Sequence, residues 1–509
     1  MSKGSRRPGR EEIKRKRKEV KQAQKLLRTL KEAEGLIPAP KATRPNRMSP
    51  YETVEQEEEA RTEAVVEQAR IIRAKLPILL KELSRIPDPR NPRMIVHKLS
   101  CLLIYGILSF VLQMGSRRQA NEELTAPGIK QQLMQLFPDL ETIAHHDTLN
   151  RLLSGIDVDR IEAAQIELVR SLIRDKKFQP YLNEGYYPIA IDGTQKLVRK
   201  TLYSEEWLER EVSSGEQKQK QYYVYVLEAN LVFANGMRVP LMSEFLDYHK
   251  GDIAREKQDC ELRAFYRLTE RLNKAFSHLP ILLLLDGLFA SGPVMEVCRR
   301  NNWEFMIVLQ DGSLPQIWQE YKGLKKLLGE EDCFAQAWAD RQQKFHWIND
   351  IEYTYGANAR KRQIVHLVVC EESWEEVDPM TGNTITKHAR HVWLSSKPLS
   401  RSNVHCRCNL GARYRWGIEE DLLVEKRCGY NYEHCFSYSW NAMKGYHYLM
   451  RIGHLLNVLA AFSAKLVKIV KEKGLQGFIR FIRQTLSGRW LDGPEVQRRL
   501  RQPFQLRLL

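Results

Sequence analysis

The stretch "ILLLLD", residues 281–286, limits the possible folds more than any other part of the chain. Its apolar residues do not alternate with polar ones, and such a run is typical of a strand buried on both faces of a sheet. A second short apolar stretch, "YYPIAID", also ends in aspartate, at Asp192. Between the two, "QYYVYVLEANLVFANGMRVPLMSEFL" predicts antiparallel strands that turn at Asn235-Gly236. The sequence therefore predicts an α/β fold, a mixed sheet flanked by helices.

The segments before and after these strands differ in their predicted secondary structure. Helical patterns run from the acidic stretch that begins near Glu52 to about Pro180. Their short helices and tight turns are compatible with a helix-turn-helix DNA-binding motif, although such patterns are also common in helical domains that bind nothing. Residues 313–403 form a long interruption with strand-like pieces such as "RQIVHLVVC" and "RHVWLSS".

The charge of the chain favours a polyanionic partner. The 509 residues carry a formal net charge of +17, with an isoelectric point of about 9.3. Residues 1–50 contain 16 Lys and Arg against 5 Glu, so this segment is a basic arm that includes a Pro-rich linker at residues 36–50. A surplus of this kind indicates nucleic acid before a membrane surface.

Cysteine usage and hydropathy indicate the compartment. Nine cysteines, without a secretory signal peptide, predict a reducing cytoplasm rather than a disulfide framework. The apolar stretch from Leu99 to Met114 is shorter than the roughly 20 residues that a membrane span needs, and it contains Ser100, Ser109 and Gln113. We expect a buried core helix there and no membrane association.

Two carboxylates stand at the ends of predicted strands. Asp192 ends "IAID" and Asp286 ends "ILLLLD", and each is followed by glycine. Ligands of such sheets collect at the carboxyl ends of their strands, so two aspartates there could share a divalent cation. Carboxylate oxygens are the ligands that Mg²⁺ prefers. The alternative is that each aspartate only caps the turn after its strand.

A third carboxylate lies on the predicted helix "ARYRWGIEEDLLVEKRCGY", residues 412–430. In one continuous α-helix, Ala412, Arg415, Glu419 and Lys426 share a narrow arc, whereas Glu420 points elsewhere. An exposed, ion-paired helix face would explain these charges. Trp416 beside the face favours another interpretation, because an aromatic ring next to cations also stacks on nucleobases.

The order Asp192, Asp286, interruption, Glu419 resembles the DDE transposases of bacterial insertion sequences, whose catalytic core is RNase H-like. The helix resembles the signature of their Tyr-Arg-Glu-Lys subgroup, in which Tyr is followed after two residues by Arg, after three more by Glu, and after six more by Lys. Arg415, Glu419 and Lys426 match this spacing, and Ala412 stands where the family has Tyr. The resemblance runs from about residue 189 to 445.

The resemblance implies specific roles for these residues. Asp192, Asp286 and Glu419 would be catalytic and would bind two Mg²⁺ ions, for which Mn²⁺ can substitute. Arg415 and Lys426 would hold DNA phosphates, and Trp416 would lie near the active site, where it could stack on a displaced base. The partners implied are double-stranded DNA, at the transposon ends and the target, and a second copy of the chain in a homodimer on DNA. The protein would be cytoplasmic and associated with the nucleoid.

The implied activity is hydrolysis of phosphodiester bonds at the ends of the element, followed by joining of the 3′ ends to target DNA. Two alternatives remain open. One is an RNase H-like nuclease that cuts without joining. The other is a DNA-binding protein derived from a transposase that no longer cuts, against which the intact set of three carboxylates argues.

We expect six segments along the chain. They are a basic helical arm and linker (1–75), a helical DNA-binding region (76–180), the first part of an RNase H-like core (181–312), a β-rich insertion (313–405), the completion of the core with the catalytic Glu helix (406–475), and a basic C-terminal tail (476–509).

Overall fold

The computed structural model describes residues 10–37, 48–214, 217–250 and 259–509. Residues 38–47 of the predicted Pro-rich linker lie outside this part of the chain. The helices are α1 (Arg10–Ala33), α2 (Val54–Leu83), α3 (Leu99–Val111), α4 (Arg117–Leu124), α5 (Pro127–Leu136), α6 (His146–Gly155), α7 (Asp159–Arg174), α8 (Glu261–Ala275), α9 (Gly292–Arg300), α10 (Pro315–Leu324), α11 (Val404–Asn409), α12 (Trp416–Arg427), α13 (Trp440–Ala461), α14 (Val467–Lys473), α15 (Leu475–Ser487) and α16 (Gly493–Leu500). The strands are β1 (Tyr187–Arg199), β2 (Leu208–Ser214), β3 (Gln217–Val232), β4 (Arg238–Phe245), β5 (Ile281–Leu285), β6 (Glu304–Val308), β7 (Cys333–Trp338), β8 (Arg341–Tyr355), β9 (Lys361–Val377) and β10 (Thr384–Ser395).

The chain divides into two compact units. The first unit consists of Met1–Met48, Asp286–Glu296 and Glu304–Ala412. The second unit consists of Ser49–Leu285, Val297–Trp303 and Arg413–Leu509. The fold as a whole is mixed α/β, as the sequence predicts.

The strands of the second unit pair around β3. β1, β2 and β4 each pair with β3 in antiparallel orientation, and β5 pairs with β1 in parallel. The predicted turn at Asn235-Gly236 joins β3 to β4, where Gly236 has a φ of 86° that favours glycine. All five residues of β5 are buried, which confirms the expectation from its continuous apolar sequence.

Helix α13 is the central helix of the second unit. Ser439 accepts a hydrogen bond from the backbone N–H of Ala442 and so caps its start. The helix is buried along most of its length and packs against α3, α6 and α7. Two glycines permit the close approach of α3, because a Cβ on Gly106 would lie 2.7 Å from Leu449 and one on Gly453 would lie 2.7 Å from Phe110.

The apolar stretch around Leu99 forms α3, whose residues are almost all buried. Among the described residues, no helix combines the length and the apolar character needed to cross a membrane.

The first unit contains an antiparallel arrangement of strands. β6 pairs with β10, β10 with β9, β9 with β8, and β8 with β7. Helix α10 packs on β8 and the basic helix α1 packs on β9. Lys31 of α1 donates a hydrogen bond to the carboxylate of Asp340 at 3.0 Å, which ties the arm to this sheet.

Candidate active site

Asp192 lies on β1, in the second unit, and is half-buried. In the antiparallel register it stands directly opposite Glu228 of β3, so the two residues share a face of the sheet. The parallel register between β1 and β5 ends with the pair Ala190 and Leu284. Asp192 follows Ala190 by two residues, and Asp286 follows Leu284 by two residues. The expectation that Asp192 ends its strand is wrong, because β1 continues to Arg199 through its pairing with β3, and only Asp286 follows the end of its strand.

Asp286 comes directly after β5 and begins the second segment of the first unit. Its Oδ1 accepts a hydrogen bond of 3.0 Å from the backbone N–H of Leu288, and this bond caps the 3₁₀ turn Gly287–Phe289. The capping role that the sequence allowed for a strand-end aspartate is thus realised at this position.

Glu419 lies in the first turn of α12, on a helix that packs against β1 and β3. Its side chain is 34% exposed, and its Oε1 accepts a hydrogen bond of 2.7 Å from Nη2 of Arg415. A partly exposed carboxylate on a helix that contacts the strand of Asp192 is available to a ligand from solvent.

Arg415 is a buried cation next to Glu419, with only 7% of its side chain exposed. Among the described residues, its Nε and Nη1 have no hydrogen-bond partner. Its guanidinium carbon lies 4.8 Å from the centroid of the Trp416 ring, and Trp416 is 57% exposed. Buried donors without partners are costly in a folded protein and are often satisfied by a bound ligand or ion.

The prediction of one continuous helix from Ala412 is wrong at its start. Ala412–Arg415 is a 3₁₀ turn, and α12 begins only at Trp416. A 3₁₀ turn advances by about 120° per residue instead of about 100°, so the arc drawn through Ala412 does not apply. Ala412 is 4% exposed and does not face solvent beside Arg415. Lys426, in the last turn of α12, pairs with Glu433 at 3.0 Å.

The interior face of α12 carries charges that sequence reasoning missed. Asp421 and Glu425 are buried, and ligand atoms of Asp421, Glu425 and His454 lie within 4.8 Å of one another. His454 Nδ1 is 2.6 Å from Glu425, and its Nε2 is 3.3 Å from Asp421. Because each ring nitrogen already faces a carboxylate, this cluster fits a buried ion-paired histidine better than a metal centre.

The electrostatics of the cluster agree with that assignment. Burial lowers the pKa of His454, but Asp421 and Glu425 outweigh burial and leave the pKa above its ordinary value. Burial raises the pKa of Asp421 to about 6, against the attraction of His454. Burial also acts to raise the pKa of Glu425, but Arg451 and His454 hold it below its ordinary value. The cluster thus favours a charged imidazolium between two carboxylates.

A signal for this cluster exists in the sequence. Asp421 and Glu425 are spaced four residues apart, and Arg451 and His454 are spaced three apart in the mostly apolar stretch "YLMRIGHLLNVLAA". Each pair falls on one face of its helix. Charges on the apolar face of a core helix indicate a buried partner of opposite sign.

Another carboxylate lies close to β1. A Cβ on Gly193 would come within 2.9 Å of the Glu261 carboxyl carbon and 2.6 Å of the Tyr225 ring. Burial and the nearby Glu261 raise the pKa of Tyr225, so this phenol stays protonated at neutral pH. Glycine at position 193 is therefore required by the close approach of these two side chains.

Comparison with known proteins gives one family match. Residues 80–169, from the end of α2 into α7, match the family model described as DDE_Tnp_1-associated. No curated protein is significantly similar to the chain in sequence.

Among solved structures, the chain is similar to the cryo-EM structure of piggyBac transposase in a synaptic complex with hairpin DNA. The match has a TM-score of 0.32 and 12% sequence identity, and it covers 88% of this chain and 82% of that chain. At that TM-score the likeness defines neither the fold nor the activity. The family match is confined to residues 80–169, in the helical region of the chain.

Proposed function

We propose that the protein is a metal-dependent DNA transposase with an RNase H-like core, which cleaves phosphodiester bonds at the ends of its insertion sequence and joins the 3′ ends to target DNA. The observation that carries this proposal is the start of α12. There the partly exposed Glu419 adjoins the unpartnered donors of Arg415 and the exposed ring of Trp416, on a helix that packs against the strand of Asp192. The DDE_Tnp_1-associated match at residues 80–169 supports it independently.

Asp192, Asp286 and Glu419 are the proposed ligands of two Mg²⁺ ions, with Mn²⁺ as a substitute. All three supply carboxylate oxygens, which suit a hard cation. Each aspartate comes two residues after the last position at which β1 and β5 are paired, which supports the assignment. When bound, the metal ions would supply activation of a water or a 3′-hydroxyl and would stabilise the leaving oxygen.

DNA recognition is proposed to involve Arg415, Trp416 and Lys426. Two donors of the buried Arg415 guanidinium lack a hydrogen-bond partner among the described residues, and Trp416 presents its ring to solvent. The net positive charge of the chain supports double-stranded DNA as the partner. We also propose that residues 76–180 contact DNA and that two copies of the chain act together on it.

The proposal is tested by incubating the purified protein with the DNA that flanks its own gene, in the presence of Mg²⁺. Cleavage at the element ends followed by joining to a target plasmid is the expected result. Cleavage without joining would identify the nuclease alternative. Binding without cleavage, in both Mg²⁺ and Mn²⁺, would identify the non-catalytic DNA-binding protein.

Arg415→Ala should weaken binding to the end of the element. Charge-assisted hydrogen bonds contribute about 1.5–3 kcal/mol each, so the loss should be about 10-fold to 100-fold in affinity. Fluorescence anisotropy with labelled DNA measures it. Arg427→Ala is the matched control, because Arg427 is an exposed arginine at the other end of the same helix. Equal losses in the two variants would assign the effect to net charge and not to the site.

Neutralising the cations from Lys14 to Lys18 should weaken binding to every DNA sequence. These five side chains are exposed on α1, and each phosphate contact contributes to the slope of log affinity against log salt concentration. A variant with glutamine at all five positions should therefore show a flatter salt dependence in a filter-binding titration. An unchanged slope would remove the arm from the DNA interface.

A further inference from the structure

The helix that carries Glu419 has a charged interior face. Ile418 and Leu422 bury apolar side chains there, as expected for a helix packed on a sheet. Two carboxylates are buried on the same helix: Asp421, just before Leu422, is 3% exposed, and Glu425, three residues after Leu422, is fully buried. Burying a carboxylate costs free energy unless it is paired, so the burial of these two residues depends on the groups that pair with them.

The partners lie on two other elements of the second unit. Asp421 Oδ2 accepts a hydrogen bond of 2.8 Å from Nδ2 of Asn230 on β3. Glu425 Oε1 accepts one of 2.9 Å from Nη1 of Arg451 on α13, and His454 of α13 lies between both carboxylates. Nη2 of Arg451 donates in turn to Oδ1 of Asn230. The helix is therefore bonded to the sheet and to α13 by the same side chains.

This network continues to the strand next to Asp192. The guanidinium of Arg451 lies 3.4 Å from Glu228 on β3, and Glu228 is the register partner of Asp192 on β1. A hydrogen bond and an ion pair thus connect Glu425, on the helix that carries Glu419, through Arg451 to the residue opposite Asp192. These contacts join the elements that hold two of the proposed metal ligands.

Stability alone does not account for such a network. Apolar residues of the same volume often replace a buried ion pair without loss of stability, because the charges must be desolvated. An apolar contact is non-directional and allows a helix to rotate or slide, whereas hydrogen bonds have fixed directions and lengths. We propose that Asp421, Glu425, Arg451 and His454 are positioning residues that fix α12 against β3, and so fix the placement of Glu419 relative to Asp192. This inference rests on the proposed function for its effect on metal binding.

The test compares Glu425→Gln with Glu162→Gln. Glu162 is also a buried carboxylate paired with an arginine, but its partners Arg271 and Ser243 lie on α8 and β4. Both glutamines keep the side-chain shape and remove the charge. Residues that orient metal ligands typically change metal affinity by about 10-fold to 100-fold, so Glu425→Gln should raise the half-saturating Mg²⁺ concentration for cleavage by that factor. Glu162→Gln should leave it unchanged, even if it lowers the melting temperature as much.

A second readout does not depend on activity. Hydrogen exchange measured by mass spectrometry should show faster exchange of the α12 amides in Glu425→Gln and unchanged exchange there in Glu162→Gln. If the unmutated protein cleaves no DNA, the proposed function fails while the exchange still tests the placement of α12. If Glu425→Gln does not fold, the double variant Glu425→Met with Arg451→Met removes the charges together and should show the same two effects. Wild-type Mg²⁺ dependence together with wild-type exchange of α12, in a folded variant, would overturn the proposal.

Discussion

Replacing Asp192, Asp286 or Glu419 with alanine is expected to abolish Mg²⁺-dependent cleavage of the element ends. If the three carboxylates hold the metal ions as one unit, each single loss should cost about 10⁴-fold or more, and double replacements should add little. DNA binding should survive, because affinity comes from Lys and Arg contacts to phosphates. Single-turnover cleavage of labelled DNA measures the first effect, and anisotropy measures the second.

Glu420→Ala is the control for this series. Glu420 neighbours Glu419, but its side chain is 60% exposed and pairs with Arg238, so it points away from Glu419. Exposed ion pairs contribute about 0–1 kcal/mol to stability, so Glu420→Ala should fold and cleave normally. Normal cleavage by Glu419→Ala with loss of activity in Glu420→Ala would show that the alignment of "RWGIE" with the transposase signature is wrong.

Glu425→Ala is expected to be the most destabilising single substitution on α12. Truncating Glu425 leaves Arg451 buried without the carboxylate that bonds to it at 2.9 Å, and it also removes one partner of His454. Breaking a buried pair in this way costs about 3–5 kcal/mol. The free energy of unfolding from urea denaturation, followed by tryptophan fluorescence, measures the loss.

The comparison for this stability prediction is also Glu420→Ala, because both positions lie on α12 and both lose a glutamate. Their difference isolates burial and pairing from helix propensity. A loss in Glu425→Ala as small as in Glu420→Ala would mean that Arg451 keeps enough partners in Glu228 and Asn230.

Much of the architecture follows from local patterns. The run "ILLLL" has no polar position to expose, so a strand buried on both faces was the expected outcome, and β5 is such a strand. The same reasoning identified the core helix α3 and the turn at Asn235-Gly236. The roles of Asp192 and Asp286 as metal ligands stay predictions. Asp286 follows β5 as expected, whereas Asp192 lies inside β1, which continues to Arg199.

The interval from Ala412 to Lys426 shows where local patterns fail. A helical wheel assumes one period, but the chain forms a 3₁₀ turn before α12 and so turns Ala412 inward. The wheel also treats cations as solvent-facing, whereas Arg415 is buried against Glu419 and Trp416. Neither outcome follows from residue type alone, because the backbone conformation of the turn and the burial of its side chains are set by the tertiary structure.

The sequence by itself determined the class of fold, the basic balance of the chain and the order of its three carboxylates, because hydrophobic periodicity and charge are local properties. The tertiary structure alone decided which charges of α12 face inward. Glu425 is buried because Arg451 and His454, 26 and 29 residues later in the chain, offset the cost of removing its carboxylate from water. This compensation comes from residues distant in the sequence, so the spacing of residues within one helix cannot predict it.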